Sequence, residues 1–332
     1  MTHLATLRLV VRRVLYGAFI LFGVNLATFA LFFAVNTPDD MARLNIGGKR
    51  VTAEQIQKWK AERGYDKPLI YDAQGKGVQR VTHTIFWDRS ISLFALDFGR
   101  ADSSGGGDIG HQILTRAGVS LRLTVPLFIL GMLASLSLAL LLVFFRGTRL
   151  DFWAGVACIV MMSISSMFYI ILGQYFFSRQ WHLAPISGFA SGWGIMRFVL
   201  LPIALALLAN LGGGARLYRA ILLEESGKDY VRTARAKGLS GLRVLWRHVL
   251  PNAMLPVLTT LGGTLPYLFM GSLVIESFFG LPGLGAYTVE AISAQDFAVV
   301  RSMVFIGAAL YIASNTLIDI LYTVADPRVR LE

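Results

Sequence analysis

Six long apolar runs, several of them flanked by arginines, decide most of what this chain can become. They cover residues 14–35, 123–145, 152–177, a fourth stretch starting near Arg197, then 254–279 and 303–325. A helix of about 20 residues crosses a hydrocarbon layer of about 30 Å, and each run meets that length. Inside such a layer every backbone N–H and C=O must bond within its own segment, which leaves the helix as the form open to isolated runs of this kind. With 55% hydrophobic and 15% charged residues, the chain is too apolar for an ordinary soluble domain. The expected fold class is therefore an all-α polytopic membrane protein with six transmembrane helices.

Arginine placement sets the expected topology. Arg8, Arg12 and Arg13 precede the first run, Arg146 and Arg149 follow the second, and Arg216 and Arg219 follow the fourth. Read by the positive-inside rule, these put both termini on the cytoplasmic side. The net charge of +11 is thereby assigned to topology rather than to nucleic-acid binding, for which no motif is present. The first run exceeds the roughly 7–15 apolar residues of a cleaved signal peptide. The polar segment 36–116 is long enough to escape the charge rule and is expected outside. Within it Thr52 and Gln55 form a capping box, Ile56, Trp59 and Lys60 follow at helical spacing, and Gly64 stops the helix before Pro68. Residues 81–87 and 91–98 read as strands, and 103–107 as a flexible glycine-serine stretch. Cys158, the one cysteine, lies in an apolar run and is read as packing.

The spans carry few polar residues, and those define the pathway candidates: Ser166, Tyr169, Asn210, Tyr267 and Glu276. Ser163, Ser165 and Ser166, followed by Met167, Phe168 and Tyr169, sit in the middle of the third run, where helix packing is the stronger reading for serine. Pro126 falls at the start of the second run, in a first turn that tolerates proline. Gly212, Gly213 and Gly214 in the fourth allow either close helix approach or local bending. Pro256, Gly262, Gly263, Pro266 and Gly271 make the fifth a helix suited to lining a moving pathway. For Glu276 and for Asp319 in the sixth run, a salt bridge to a neighbouring helix is the expected use, with substrate steering second.

Between the fourth and fifth runs lies a strongly basic elbow, residues 224–251, too charged for hydrocarbon. Ser226 and Asp229 resemble a capping box, Gly238 suits the left-handed residue that closes a helix, and Arg235 and Lys237 fall in the last turn. A second helix is expected from Ser240 until Pro251. The letters YVRTARAKGL of residues 230–239, with His248, Leu250, Pro251 and Asn252 after them, closely resemble the cytoplasmic loop of binding-protein-dependent ABC importer permeases of the oligopeptide/dipeptide branch. Against the wider superfamily's loop the chain keeps Ala234, Gly238, Leu250 and Pro251 and departs at Arg232, Thr233 and His248. The departures at Arg232 and Thr233 fit the peptide branch. Residues 64–68, Asp97-Phe98-Gly99, the turn 280–285 and Asp326-Pro327-Arg328 are also similar to that branch. Extra residues around 75–92 and the surroundings of Glu276 look like its Yej-type members, which handle peptides and peptide-like antibiotics.

The resemblance implies a type I ABC importer permease fold: an N-terminal segment and first span in 1–35, a structured external loop in 36–116, and a permease core in 117–332. It implies a subunit of an ATP-driven peptide importer in a bacterial inner membrane, alongside a second homologous permease, two ABC ATPase subunits and a periplasmic peptide-binding protein. It further implies that the helix at 227–237 docks on the ATPase, with Tyr230, Val231 and Ala234 on the contact face, Arg232, Arg235 and Lys237 as rim charge, and Gly238 allowing close approach. The chain has no G-x-x-x-x-G-K-[ST] loop, its five histidines are scattered, and no catalytic constellation is apparent. No cofactor is expected here, ATP and magnesium belonging to partner subunits. Two other classes compete. An ion-coupled secondary transporter would place ionisable residues at mid-membrane and carry an internal repeat; a membrane-anchored sensor or scaffold would not need helices rich in glycine and proline.

Overall fold

Backbone groups that water cannot reach must pair locally, and the computed structural model, which describes residues 3–47, 51–103, 106–190 and 192–325, is helical in nearly all its regular elements. In chain order these are α1 (His3–Val35), α2 (Pro38–Ile46), α3 (Ala53–Arg63), α4 (Gln79–Thr82), α5 (Ile109–Phe144), α6 (Arg149–Ser163), α7 (Ser166–Gly173), α8 (Met196–Ser226), α9 (Asp229–Ala236), α10 (Gly241–Val244), α11 (Leu250–Gly262), α12 (Leu265–Met270), α13 (Leu273–Phe279), α14 (Leu284–Ser293) and α15 (Phe297–Ala325). Among the described residues four helices are long and apolar enough to cross a membrane, and six spans result if each of two bent pairs counts as one. The expected count of six thus rests on two broken spans. Arg149–Ser163 and Ser166–Gln180 meet at 88°, and Gly241–Thr260 and Leu265–Phe279 at 54°.

The break in the fifth span lies at Gly263 and Thr264, among the predicted breakers. The break in the third occurs at Ile164 and Ser165, where no proline or glycine stands. Tyr169 explains how it is tolerated: its hydroxyl donates to the Met161 carbonyl at 3.0 Å, bonding a group near the end of α6 that the interruption strips of its helical partner. The second span also departs from expectation. It begins at Ile109, not near residue 123, so Pro126 lies well inside a 36-residue helix rather than in a first turn.

The contacts divide the chain into two units, residues 1–118 with 287–332, and residues 119–286. In the first, Phe29 of α1, Met41 and Ala42 of α2, Ile56 and Trp59 of α3, and Tyr65, Ile85, Phe86 and Phe297 form one buried cluster. Trp59 stacks on Tyr65 at 5.5 Å and Phe32 on Phe297 at 3.6 Å. The predicted capping box is present: Gln55 N donates to Thr52 Oγ1 at 3.4 Å and Thr52 N to Gln55 Oε1 at 3.0 Å, and Gly64 closes α3 in the left-handed region. The strands expected at 81–87 and 91–98 are absent. That stretch holds the end of α4, a π turn at Trp87–Ile91 and a 3-10 turn at Ser92–Ala95. β-branched and aromatic residues raise strand propensity, but no neighbouring strand stands among the described residues. Burial of Ile85, Phe86 and Leu93 decides the conformation instead, while Ile85 N and Phe86 N bond the carbonyls of Pro68 and Leu69.

Two buried acids in this unit, Asp296 and Asp102, accept backbone N–H groups. Asp296 caps α15, accepting from Val299 N at 3.2 Å, and also takes the N–H groups of Asp102 and Ser103. Asp102 accepts from the Tyr65 hydroxyl at 2.7 Å and from Ala298 N at 3.1 Å. Burial holds the Asp102 carboxyl above its usual range and pushes the Tyr65 phenol up as well. Residues 104 and 105 of the glycine-serine stretch, the side chain of Asp319 and the Asp326-Pro327-Arg328 terminus lie outside the described residues.

In the second unit, α8 runs unbroken through its triple glycine, so close approach rather than bending is what these residues supply. A Cβ on Gly212 would stand 2.5 Å from the Cys158 carbonyl of α6, and one on Gly214 would stand 2.5 Å from Ser135 Oγ of α5. Cys158 itself packs with Leu142 and Ala215, as expected. One larger cluster joins Leu136, Ala139 and Leu140 of α5, Tyr218 and Leu222 of α8, and residues of α9, α10 and α11.

Candidate functional site

The elbow 224–251 is built on that cluster. An eight-residue helix in water is marginal, because nucleation costs more than its few hydrogen bonds return. α9 is held by tertiary contacts instead. Val231 is fully buried and Ala234 nearly so, both packed against α5, α8 and the segment leading to α11. Burying a valine contributes roughly 1.5–3 kcal/mol. Tyr230 is half-buried, and its hydroxyl donates to Glu225 Oε1 at 2.6 Å, tying the first turn of α9 to the last turn of α8. Lys228 Nζ lies 2.6 Å from the other Glu225 oxygen. Burial, reinforced by this carboxylate, pushes the Tyr230 phenol far above its ordinary range.

At its other end α9 closes as the letters predict. Gly238 has φ +80°, its N–H reaches the Arg235 carbonyl at 2.9 Å, and Leu239 N reaches the Ala234 carbonyl at 3.4 Å. This paired arrangement is a Schellman motif, and its left-handed residue excludes a Cβ at a cost of about 1–2 kcal/mol.

Three expectations for the elbow are corrected. Ser226 does not cap α9: α8 continues through it, its Oγ donates to the Leu222 carbonyl, and Lys228 occupies the cap position without a side-chain bond. Helical structure does not end at Pro251. A π turn at Leu245–Val249 joins α10 to α11, and Pro251 falls in the first turn of α11. Val231 and Ala234 face the interior of their own chain, since small and apolar residues on a short helix are the ones it must bury to exist. The outward face carries Asp229, Arg232, Thr233 and Ala236, flanked by Arg235, with exposed Lys237 and Gly238 following. Arg232 and Asp229 stand 3.7 Å apart with both side chains exposed, a pairing of little energetic weight. Arg232, Arg235, Lys237 and Gly238 are thus the exposed members of the predicted set.

The five pathway candidates do not converge; no two hydrogen-bond to each other among the described residues. Ser166 and Tyr169 share the bend of the third span. Asn210 spends its amide on the Ala206 carbonyl of its own helix at 2.8 Å. Tyr267 on α12 is 69% exposed. Glu276 is fully buried and has no basic partner among the described residues. One carboxylate oxygen accepts from Ser120 Oγ at 2.8 Å and Ser272 N at 3.1 Å, the other from Ala286 N at 3.1 Å. Ser120 Oγ in turn accepts from Leu284 N at 2.8 Å. This acid holds the 280–286 turn in place. Glu225 and Ser120 are the residues that sequence reasoning missed. The Glu225–Tyr230 spacing of five was the available signal for the first, whereas nothing local marks Ser120. No group of three or more His, Cys, Asp or Glu among the described residues could hold a metal ion.

Residues 119–331 match the family described as binding-protein-dependent transport system inner membrane component, and residues 6–92 match the N-terminal portion described for such membrane components. A putative peptide transport system permease protein of Brucella abortus (strain 2308) is 32% identical over 98% of this chain and 99% of its own length. A di/tripeptide transport system permease protein of Pseudomonas aeruginosa (strain UCBPP-PA14) is 30% identical, covering 93% of this chain and 94% of the relative. The dipeptide transport system permease protein of Escherichia coli (strain K12) is 28% identical over the same shares.

Proposed function

Because the chain belongs to the binding-protein-dependent transport system inner membrane component family, we propose that it is the permease subunit of an ATP-driven peptide importer, forming half of the passage. The peptide cargo follows from the names its relatives carry. The partners would be a second homologous permease, two ABC ATPase subunits and a periplasmic peptide-binding protein. Chemistry is assigned to the ATPases, where ATP and magnesium bind; this subunit contributes motion only. Arginine placement supports a cytoplasmic side for both termini and the elbow.

The observation that carries the coupling role is the division of α9 into two faces. Its inner face is welded to α5, α8 and α11, so a displacement of the helix is passed to the spans. Its outer face leaves Arg232, Arg235 and Lys237 free to orient an ATPase, where rim charge sets approach and register more than binding strength. When the ATPase pair closes, α9 is carried with it, and the π turn and α11 tilt the fifth span.

The test is reconstitution of the complex in vesicles. Peptide with binding protein should raise ATP hydrolysis, and uptake should stop when the ATPase is omitted. Uptake by the permease without an ATPase, or labelling of a cysteine placed at Arg235 from the periplasmic side, would reject the reading.

A further inference from the structure

A cleft of about 540 Å³ opens between α6 and α8, bordered by the end of α5 and the α5–α6 turn. Its lining changes character along its length. Gly147, Thr148, Asp151, Arg216 and Arg219 make one end polar, while Leu142, Phe152, Gly155, Val156 and Ile159 make the remainder apolar. On α6 the residues 151, 152, 155, 156 and 159 fall on one helical face, so the gradient runs along the helix axis.

Two arginines in this cleft keep guanidinium N–H groups without a strong acceptor among the described residues. Arg219 Nη2 bonds both oxygens of Asp151 at 2.8 and 2.9 Å, which neutralises the only acid of the cleft, and Gly147 N donates to the same carboxylate at 3.1 Å. The Arg219 Nε is nevertheless buried without an acceptor. Arg216 forms no ion pair among the described residues, and its Nη1 lies 3.6 Å from the thioether of Met162, a weak acceptor. α8 begins at Met196, and about 20 residues of helix cross the hydrocarbon, so both arginines stand at a membrane boundary. Trp153, 66% exposed on α6, is a residue type that favours the same level.

We propose that this cleft binds one anionic phospholipid, its phosphate on Arg216 and the partly exposed guanidinium of Arg219 and the start of an acyl chain along Phe152, Gly155, Val156 and Ile159. A free phosphate would use the polar end alone and leave the apolar floor unmatched; a phospholipid matches both in the observed order. Neutralising one ammonium- or guanidinium-sized charge beside an anionic headgroup weakens its attraction about fivefold. The leaflet follows from the orientation proposed above, whereas the site does not.

The test uses the full chain assembled with its partner subunits in nanodiscs of phosphatidylcholine, with or without phosphatidylglycerol, read by lipid retention in native mass spectrometry. One phosphatidylglycerol should be retained in preference to phosphatidylcholine. Arg216→Gln should weaken that retention about fivefold. Gly155→Leu, at a position whose Cβ would meet nothing within 4 Å, should abolish it with every charge intact. Equal retention of the two lipids, or unchanged retention in both variants, overturns the proposal. So does equal stabilisation by inorganic phosphate in phosphatidylcholine discs, which would assign the site to a soluble anion. Efficient cross-linking from Phe152→Cys to a partner subunit overturns it too, because a protein would then fill the cleft. Retention in nanodiscs is independent of ATP coupling, so this result and that of the transport assay are separable.

Discussion

The two ends of the broken fifth span handle charge in opposite ways. At the elbow, Arg232, Arg235 and Lys237 stand in solvent with little to hold them, and the helix that carries them is anchored by Val231, Ala234 and a tyrosine. At the other end, within α13, Glu276 is sealed from solvent, and its two oxygens accept from a serine hydroxyl and backbone N–H groups. Both ends are packed against their own unit, yet only one has exposed charge. Charged residues in a transporter therefore divide by what already satisfies them. A carboxylate whose acceptor sites are filled by its own backbone is scaffold, and a cation with none is available to a partner.

Substitutions that empty or refill each end test this contrast. Glu276→Ala should have the largest effect: it strands the N–H groups of Ser272 and Ala286 and the Ser120 hydroxyl, each costing about 1–3 kcal/mol when buried unpaired. A lower yield and melting temperature in detergent are expected, with Glu276→Gln recovering part of both. A fully stable alanine variant would return Glu276 to the list of pathway residues. Gly238→Leu comes next. The left-handed backbone should cost about 1–2 kcal/mol locally, leaving the chain inserted while co-purification of the ATPase and peptide-stimulated hydrolysis fall; normal transport would count against the role of α9. Tyr230→Phe removes one hydrogen bond to Glu225, worth about 1 kcal/mol, and should loosen hydrogen exchange in α9 without unfolding the spans. The smallest change in stability is expected for Arg232→Ala combined with Arg235→Ala. Melting should not move, but ATPase association should weaken most at low salt, because rim charges are screened as ionic strength rises. A large melting shift in that double variant would erase the difference between the two ends.

Much of the architecture was legible because long apolar runs have few physical solutions. The Thr52–Gln55 box and the Gly238 closure were legible because each depends on residues within one turn. What escaped was set by distant partners. Residues 81–98 had strand-forming letters but no strand to pair with. The bend at Ile164 has no local breaker and depends on a tyrosine one turn beyond it. The inward turn of Val231 and Ala234 reflects a surface supplied by three other helices, and the confinement of Glu276 depends on Ser120, 156 residues away in sequence. At the elbow the letters located the segment and its cap but reversed which side faces outward.

The π turn at Leu245–Val249 has a mechanical corollary. It holds one more residue than an α-helical turn would, and each residue advances an α-helix by about 100°. Because the wide turn closes about one full rotation with that extra residue, deleting it would regularise the backbone and leave Arg232 and Arg235 on nearly their present heading. The segment thus acts as a tolerance in the joint, in which one inserted amino acid is taken up as girth and the azimuth of the basic helix is preserved.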